Sequence, residues 1–349
     1  MLDIKFKAAI LEKSNSDLVV DEISFKGNLK AGQVLVKIFY SGICGAQINE
    51  IQASKGPDKF LPHLLGHEGY GEVVEIGELV STVAVGDKVI LHWMPGSGVQ
   101  SEPAKYEWRN ETLNAGWVTT LSEFSIISEN RCTRIKTELD PRYLPLLGCA
   151  ATTAAGVIAN DCQLKMGDSI IVIGTGGVGL LTIEAARASG AFPIIGIDIF
   201  DQKLEEATKF GAHKVFNSTE PNLINKILEN LPQKFPNFVV ETTGVKSMIE
   251  LSYKLISNKG KSILVGVPKH DEPILIDTLP LHFDTQIIGS KGGKSKPEID
   301  IQKYANLAQE GYFRFDTLPI TIFYLNEINK GINELKNGLV GRVVIDLSK

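Results

Sequence analysis

Two contrasting patterns in the sequence predict an α/β protein made of a doubly wound parallel sheet and a separate β-rich, barrel-like domain. From Asp168 to about Ser290, short apolar runs alternate with helix-like stretches, as strands joined by crossover helices require. Inside that region Ile171-Val-Ile-Gly-Thr-Gly-Gly-Val-Gly179 carries a β-branched run into a glycine turn and out onto an apolar-periodic segment, Leu180 to Ala188. Over residues 1 to about 150, by contrast, Gly and Pro punctuate short alternating runs such as Gln33-Val-Leu-Val-Lys-Ile-Phe39 and Gly71-Glu-Val-Val-Glu-Ile-Gly77. At 349 residues the chain is too long for one compact core and suits two domains.

Six strands are expected in the central region, at 169–173, 193–197, 214–217, 237–241, 261–267 and 285–289. Between them, Lys203 to Phe210 reads as a helix stopped by Gly211, and Leu223, Ile224, Ile227, Leu228 and Leu231 form one apolar stripe behind Pro221. Residues from about 292 onward end in the strand-like Arg342-Val-Val-Ile-Asp-Leu347, expected to return to the first domain.

The glycine turn points to a ligand. Gly174, Gly176 and Gly179 have the G-x-G-x-x-G spacing of a dinucleotide-binding strand–turn–helix, with Gly177 and Val178 completing the loop. Gly174 permits the tight turn, Gly176 lets a pyrophosphate approach the backbone, and Gly179 lets helix and strand pack closely. The helix N-terminus then offers free N–H groups to the anion. Asp198 closes the next strand, 19 residues after Gly179. There it can accept hydrogen bonds from adenosine ribose hydroxyls and repel a 2′-phosphate, which indicates NAD rather than NADP. Lys203 either helps grip the ribose or belongs to a solvated helix face. Ligands of such sheets lie at the carboxyl ends of the strands, where Thr242-Thr-Gly244 and Val265-Gly-Val267 fall.

Composition narrows the classes. The chain is 43% hydrophobic and 22% charged, with a net charge of −5, and it has no dense Lys/Arg block, so nucleic acid is not the expected partner. The N-terminus lacks the regions of a signal peptide, and no apolar run approaches the roughly 18 residues of a membrane helix. Four cysteines without a C-x-x-C pair do not read as a disulfide framework. The expected compartment is the cytoplasm.

Three residues carry a metal hypothesis: Cys44 in Ser41-Gly-Ile-Cys-Gly45, His67 in Gly66-His-Glu-Gly69, and Cys149 in Leu147-Gly-Cys-Ala-Ala-Thr-Thr153. Two thiolates and an imidazole suit zinc, and three protein ligands leave a fourth position open for water or a substrate oxygen. Spacings of 23 and 82 residues do not make that case alone. Gly66-His-Glu-Gly-Tyr-Gly71 resembles the G-H-E-x-x-G signature of the medium-chain dehydrogenase/reductase superfamily, zinc-dependent alcohol dehydrogenase branch. Gly86-Asp-Lys-Val89 resembles its G-D-x-V element, and Leu147-Gly-Cys149 with Thr152-Thr153 the segment that brings the second cysteine. Ser290 to Gly293 resembles its turn back to the catalytic domain.

The resemblance spans essentially the whole chain. It implies a GroES-like catalytic domain over 1–150 and 292–349, a Rossmann NAD-binding domain over 151–291, and one catalytic zinc on Cys44, His67 and Cys149. It further implies that Glu68 lies just behind the metal, either approaching it during ligand exchange or acting as a salt-bridging carboxylate. Arg342 matches the position where an arginine meets the cofactor pyrophosphate. Homodimers or homotetramers are usual in the family.

Two features depart from the family pattern. The lobe where many relatives hold a structural zinc on four cysteines is replaced by a segment from Pro95 to Asn114 that contains none. Beside the first ligand, Ala46, Gln47 and Asn49 stand where relatives carry a Ser or Thr, an Asp and a His that relay the alcohol proton. Alanine has no proton to relay, and an amide does not titrate near neutrality. His92 is a candidate replacement base, and its competing reading is pocket lining or a satisfied buried imidazole. Trp93 either shapes the substrate pocket or belongs to the core. Lys105, Tyr106, Trp108, Arg109 and Asn114 read either as contacts to a polar substrate such as a sugar derivative or, with more weight, as a surface loop or subunit contact. The expected activity is hydride transfer between NAD and an alcohol or carbonyl substrate, a polyol or sugar derivative among the options. Its rivals are a zinc-free quinone or enone reductase of the superfamily and a non-catalytic nucleotide-binding redox sensor.

Overall fold

All six central strands form. The computed structural model describes residues 1–232, 234–256, 259–338 and 340–348. Strands Ile170–Ile173, Ile194–Asp198, Lys214–Asn217, Phe238–Glu241, Lys261–Leu264 and Gln286–Gly289 make one parallel sheet. In chain order their spatial sequence is third, second, first, fourth, fifth, sixth, so the direction of winding reverses beside Ile170–Ile173. Helices Gly177–Ala188, Asp201–Lys209, Leu223–Glu229 and Lys246–Leu255 fill the crossovers. Ile171, Ile173, Ile195, Ile197 and Val239 form the core with Ile227 and Leu231 of the expected stripe. The fifth strand stops earlier than expected. The N–H groups of Val265 and Gly266 both turn onto the Glu241 carbonyl, at 2.8 and 3.0 Å, and leave the ladder.

The chain divides into two compact units: Met1–Thr152 with Lys296–Gly311 and Pro319–Lys349, and Thr153–Ser295 with Tyr312–Leu318. The short excursion 312–318 joins the second unit through a buried carboxylate. Glu184, with no side-chain exposure, accepts from Arg187 at 2.7 and 2.8 Å and from the Arg314 guanidinium at 2.8 and 2.9 Å. It also takes the Arg314 backbone N–H at 3.0 Å. The returning turn is pinned in the same unit, where Asp161 accepts from Ser290 at 2.6 Å and pairs with Lys294 at 2.9 Å.

The first unit holds a closed barrel of Leu2–Leu11, Val19–Gly27, Lys105–Trp108, Glu111–Asn114 and His63–Leu64. A second sheet runs in the order Cys132–Arg134, Lys88–His92, Glu68–Ile76, Gln33–Ile43, Arg342–Asp346, Ile320–Tyr324, with Phe124–Ser128 also on Gln33–Ile43. The expected return of the chain end is seen here. Arg342–Asp346 lies antiparallel to Gln33–Ile43, with Val343 opposite Ile43 and Val344 opposite Gly42.

The segment replacing the zinc lobe corrects the expectation of a surface loop. Lys105, Tyr106, Glu107 and Trp108 alternate out and in, and their hairpin closes the barrel. The buried Tyr106 hydroxyl accepts the Ile126 N–H at 2.8 Å, Trp108 Nε1 donates to Asp21 at 2.9 Å, and Arg109 stacks 4.2 Å over Trp108. Asn114 donates to the Phe60 carbonyl at 2.9 Å. Farther along the chain, the Glu129 carboxylate gathers the N–H groups of Val99, Ser81 and Thr82 at 2.5 to 2.7 Å. Burial pushes that carboxyl up, but the three donors outweigh it and hold it below its usual range.

Glu184 yields a pH prediction. Burial alone would raise its carboxyl, but the Arg187 and Arg314 hydrogen bonds outweigh burial and bring it down to about 2. A depressed carboxylate contributes stability that is present above the unfolded-state value of 4.5 and lost as pH falls toward the folded value. Glu184→Gln is therefore expected to lower the urea midpoint at pH 7, by about 1–3 kcal/mol in stability. The gap from wild type should narrow steadily below pH 5. A gap independent of pH would refute the ion-pair account.

Candidate functional site

Each member of the Cys44, His67 and Cys149 group is delivered by a different local device. Cys44 follows strand Gln33–Ile43 and caps helix Gly45–Ile51, where its Sγ accepts the Ala46 N–H at 3.4 Å. His67 leaves a turn at Gly66, whose φ is +98° and where any Cβ would stand 2.4 Å from Thr120 Oγ1 and 2.8 Å from Thr120 N. Cys149 follows the short turn Leu144–Gly148. A Cβ at Gly148 would fall 2.3 Å from the Leu91 carbonyl oxygen and 2.9 Å from Glu68 Cα, so only glycine lets this turn press against the sheet. The three ligand atoms lie within 4.8 Å of one another, and no other group of three metal-ligating side chains occurs among the described residues.

Charges behind the trio are buried and paired. Glu68 has no side-chain exposure and meets Arg342, itself 5% exposed, with Nε to Oε1 at 3.1 Å and an Nη to Oε2 at 3.3 Å. Of the two readings open for Glu68, this geometry is that of the salt-bridging carboxylate. The guanidinium that the resemblance assigns to a cofactor pyrophosphate is occupied with Glu68 in the same unit. Burial raises the Glu68 carboxyl, opposed by Arg342. A hydrogen bond from Cys149 holds the Cys44 thiol well below its usual value, with His67 and Arg342 helping against burial. The same bond and burial push Cys149 well up. Burial lowers His67, but the Cys44 thiolate outweighs it and the imidazole stays raised. Of the two thiols Cys44 is therefore the more acidic, and the His67 ring beside it is held above its usual basicity.

His92 is a satisfied imidazole. Its Nδ1 donates to the Met94 carbonyl at 2.7 Å and its Nε2 accepts from the Thr133 hydroxyl at 2.9 Å, while burial pushes it down to about 4. No ring nitrogen remains for a substrate proton. Trp93 packs against the first unit's core. Asn49 and Ala46 lie on helix Gly45–Ile51, half-buried and exposed respectively. Gln47 stood out in the sequence only as a departure from the family pattern, and its contacts were not foreseen. It is 1% exposed, its Oε1 accepts the Cys44 N–H at 2.8 Å, and its Nε2 forms a short hydrogen bond with His67 Nδ1. Its place three residues after Cys44 was the available signal.

The nucleotide turn sits in the second unit at the carboxyl end of Ile170–Ile173. Gly174 has φ +86°, and a Cβ on Gly179 would lie 1.8 Å from the Gly174 carbonyl oxygen. Gly176 differs, since a Cβ there would meet no protein atom within 4 Å. Gly177 and Val178 open helix Gly177–Ala188 behind it. Asp198 Oδ2 accepts the Thr175 N–H at 2.7 Å, and Oδ1 accepts those of Ile199 and Phe200 at 2.8 and 3.1 Å, tying the turn to the next loop. The Thr242 hydroxyl lies 3.0 and 2.8 Å from the Ile173 and Gly174 carbonyl oxygens. Lys203 stands 4.8 Å over the Phe200 ring, and Val267 is half exposed.

Fold, turn and cluster agree with the comparisons. Residues 177–310 match the zinc-binding dehydrogenase family and residues 30–137 the alcohol dehydrogenase GroES-like domain. The chain belongs to the medium-chain dehydrogenase/reductase family, as a member without the clustered cysteines of a structural zinc lobe. It is 27% identical over 379 residues to an alcohol dehydrogenase class-3 of Cereibacter sphaeroides, covering 98% of this chain and 100% of that one. It is 25% identical to alcohol dehydrogenase-like 5 of Arabidopsis thaliana, covering 99% and 96%. Among solved structures, an alcohol dehydrogenase zinc-binding domain protein from Burkholderia ambifaria superposes with a TM-score of 0.90 at 24% identity, covering 99% of both chains. Benzyl alcohol dehydrogenase from Acinetobacter calcoaceticus gives 0.88 at 24%, covering 98% and 99%. The chain is an alcohol-dehydrogenase-like oxidoreductase of small alcohol and carbonyl substrates.

Removing one partner of the buried ion pair leaves a bare charge. Arg342→Met is expected to cost about 3–5 kcal/mol in urea denaturation, and adding Glu68→Gln should restore most of it. Unchanged stability in the single variant would refute the pairing.

Proposed function

We propose that this chain is an NAD-linked, zinc-dependent dehydrogenase with one zinc per chain, held by Cys44, His67 and Cys149. The observation that carries the proposal is the convergence of those three ligand atoms within 4.8 Å. Two sulfurs and an imidazole nitrogen fit zinc by donor chemistry. The space left over Gly176 fits a dinucleotide pyrophosphate. When bound, zinc supplies a Lewis acid for the substrate oxygen and NAD a hydride acceptor.

The chain's own residues do the rest. Asp198 accepts from ribose hydroxyls and disfavours a 2′-phosphate, with Gly174, Gly176, Gly177, Val178 and Gly179 around the pyrophosphate and Thr242, Val265, Val267 and Lys203 flanking it. Ala46, Gln47 and Asn49 offer no titratable group beside Cys44, so the proton leaves by water. The two cysteines weigh against a zinc-free quinone or enone reductase. A polyol or sugar substrate loses its support from Lys105 to Asn114, because those side chains build the barrel. Names among the relatives direct attention equally to aromatic alcohols and to S-(hydroxymethyl)glutathione.

The proposal also places the enzyme in the cytoplasm, without nucleic-acid partners. All four thiols are free, and among the described residues no helix is long and apolar enough to cross a membrane. Strand Gln286–Gly289 ends its sheet, which supports a homodimer or homotetramer formed through the second unit.

The test combines zinc stoichiometry with an NADH absorbance screen over aromatic and aliphatic alcohols, S-(hydroxymethyl)glutathione, polyols and sugars. One zinc per chain and turnover of at least one class are expected, with Cys149→Ala losing both. Asp198→Ala should weaken NAD binding by about tenfold or more while relaxing the bias against NADP. Full turnover in Cys149→Ala would overturn the mechanism. Binding of zinc and NAD without any turnover would favour the redox-sensor reading.

A further inference from the structure

The contacts of Gln47 conflict with the task of the histidine it touches. The amide bridges the helix entrance and the Gly66 turn: its Oε1 accepts the Cys44 backbone N–H at 2.8 Å, and its Nε2 faces His67 Nδ1. The opposite ring nitrogen, His67 Nε2, lies 3.2 Å from Cys44 Sγ. An amide nitrogen only donates, so Nδ1 accepts and the ring's proton sits on Nε2, directed at Cys44 Sγ. That arrangement gives each of these atoms a complementary partner.

Binding a metal through Nε2 reverses the requirement. The ring must then carry its proton on Nδ1, and a metal-ligating histidine ordinarily donates that N–H to a carboxylate or carbonyl oxygen. Here two donors, Nδ1–H and the Cys44 N–H, would converge on an amide with one accepting atom. Turning the amide over does not help, because it moves the mismatch from His67 to Cys44. Gln47 is 1% exposed, so a mismatched donor there is buried. A carboxylate in the same place would accept from both.

We propose that Gln47 is a positioning residue that holds His67 in the tautomer opposed to metal ligation, setting this chain's zinc affinity below what its three ligands alone would give. The inference rests on the zinc reading of the site. It makes this centre an exchangeable one that stays organised when empty, because the Cys44–His67–Gln47 chain of hydrogen bonds closes without the metal.

Two measurements on the full-length protein test it. In chelator-treated protein labelled with 15N-histidine, long-range proton–nitrogen correlations report which ring nitrogen of His67 is protonated, with His67→Asn used for assignment. Wild type should show the proton on Nε2 and Gln47→Glu should show it on Nδ1, a shift that a merely structural role would not produce. In competition with a chelator, Gln47→Glu should bind zinc about tenfold tighter or more. Asn49→Asp adds the same charge two residues away without touching His67 and should gain far less, which separates hydrogen-bond matching from charge. An Nδ1-protonated His67 in wild type, or equal tight binding by wild type and Gln47→Glu, overturns this inference alone. Absence of zinc from both proteins overturns the zinc reading along with it.

Discussion

The buried pairing of Glu68 with Arg342 is the constraint around which the first unit is arranged. A carboxylate with no exposure needs a counter-charge, and the guanidinium that supplies it arrives on the last strand of the chain, more than 270 residues later. Space for the carboxylate dictates the neighbouring residues. A Cβ at Gly42 would stand 2.4 Å from Glu68 Oε1, and one at Gly148 would press on the Glu68 backbone. Both glycines closely precede a cysteine of the cluster, Gly42 by two residues and Gly148 by one. The close approach that accommodates the ion pair therefore also brings Cys44 and Cys149 together. Metal chemistry and core packing share one set of small residues.

The glycines of the second unit separate into two kinds. Gly174 and Gly179 are required by the protein itself, through a positive φ and an otherwise impossible contact with a carbonyl oxygen. Gly176 meets no such internal requirement. A residue that packing leaves free, at the N-cap of a helix and at the reversal point of a parallel sheet, is explained by what occupies the space outside it. Asp198 adds a structural task to its expected one. By gathering N–H groups from Thr175, Ile199 and Phe200, it fixes the loops on both sides of the space over Gly176.

The sequence made much of this legible where the signal is local. The three central strands Ile170–Ile173, Ile194–Asp198 and Phe238–Glu241 show as apolar runs because both their faces are buried, and Cys44, His67 and Cys149 lie in motifs whose glycines are local requirements. What remained hidden depends on partners distant in the chain. The hairpin at Lys105–Trp108 and Glu111–Asn114 alternates over only four residues per strand, too few to register, and is held by Asp21 and Ile126. Glu129 ties Val99 of the Pro95–Asn114 segment to Ser81 and Thr82, but its three donors lie 30 to 48 residues away. Gln47 was visible as a departure from the family pattern. Its role was not, because that role consists of which atom of the amide faces which donor.

The charges around Cys44 link that amide to catalysis. The Glu68 and Arg342 charges cancel, so the balance falls on the ligands. Two cysteine sulfurs, both deprotonated on ligation, match a dication, and the neutral His67 and Gln47 change nothing. The loaded site would be electrically neutral before substrate arrives. A carboxylate in place of Gln47 would tighten the hold on the metal through both hydrogen bonding and charge, yet it would leave a net negative charge beside the substrate oxygen. In a buried site, where charges are poorly screened, that charge opposes the negative charge developing on the oxygen as an alcohol loses its proton. On the role proposed for Gln47, the amide would give up metal affinity and keep the field favourable to deprotonation. That matters most in a chain whose Ala46 and Asn49 offer no titrating group to carry the proton away.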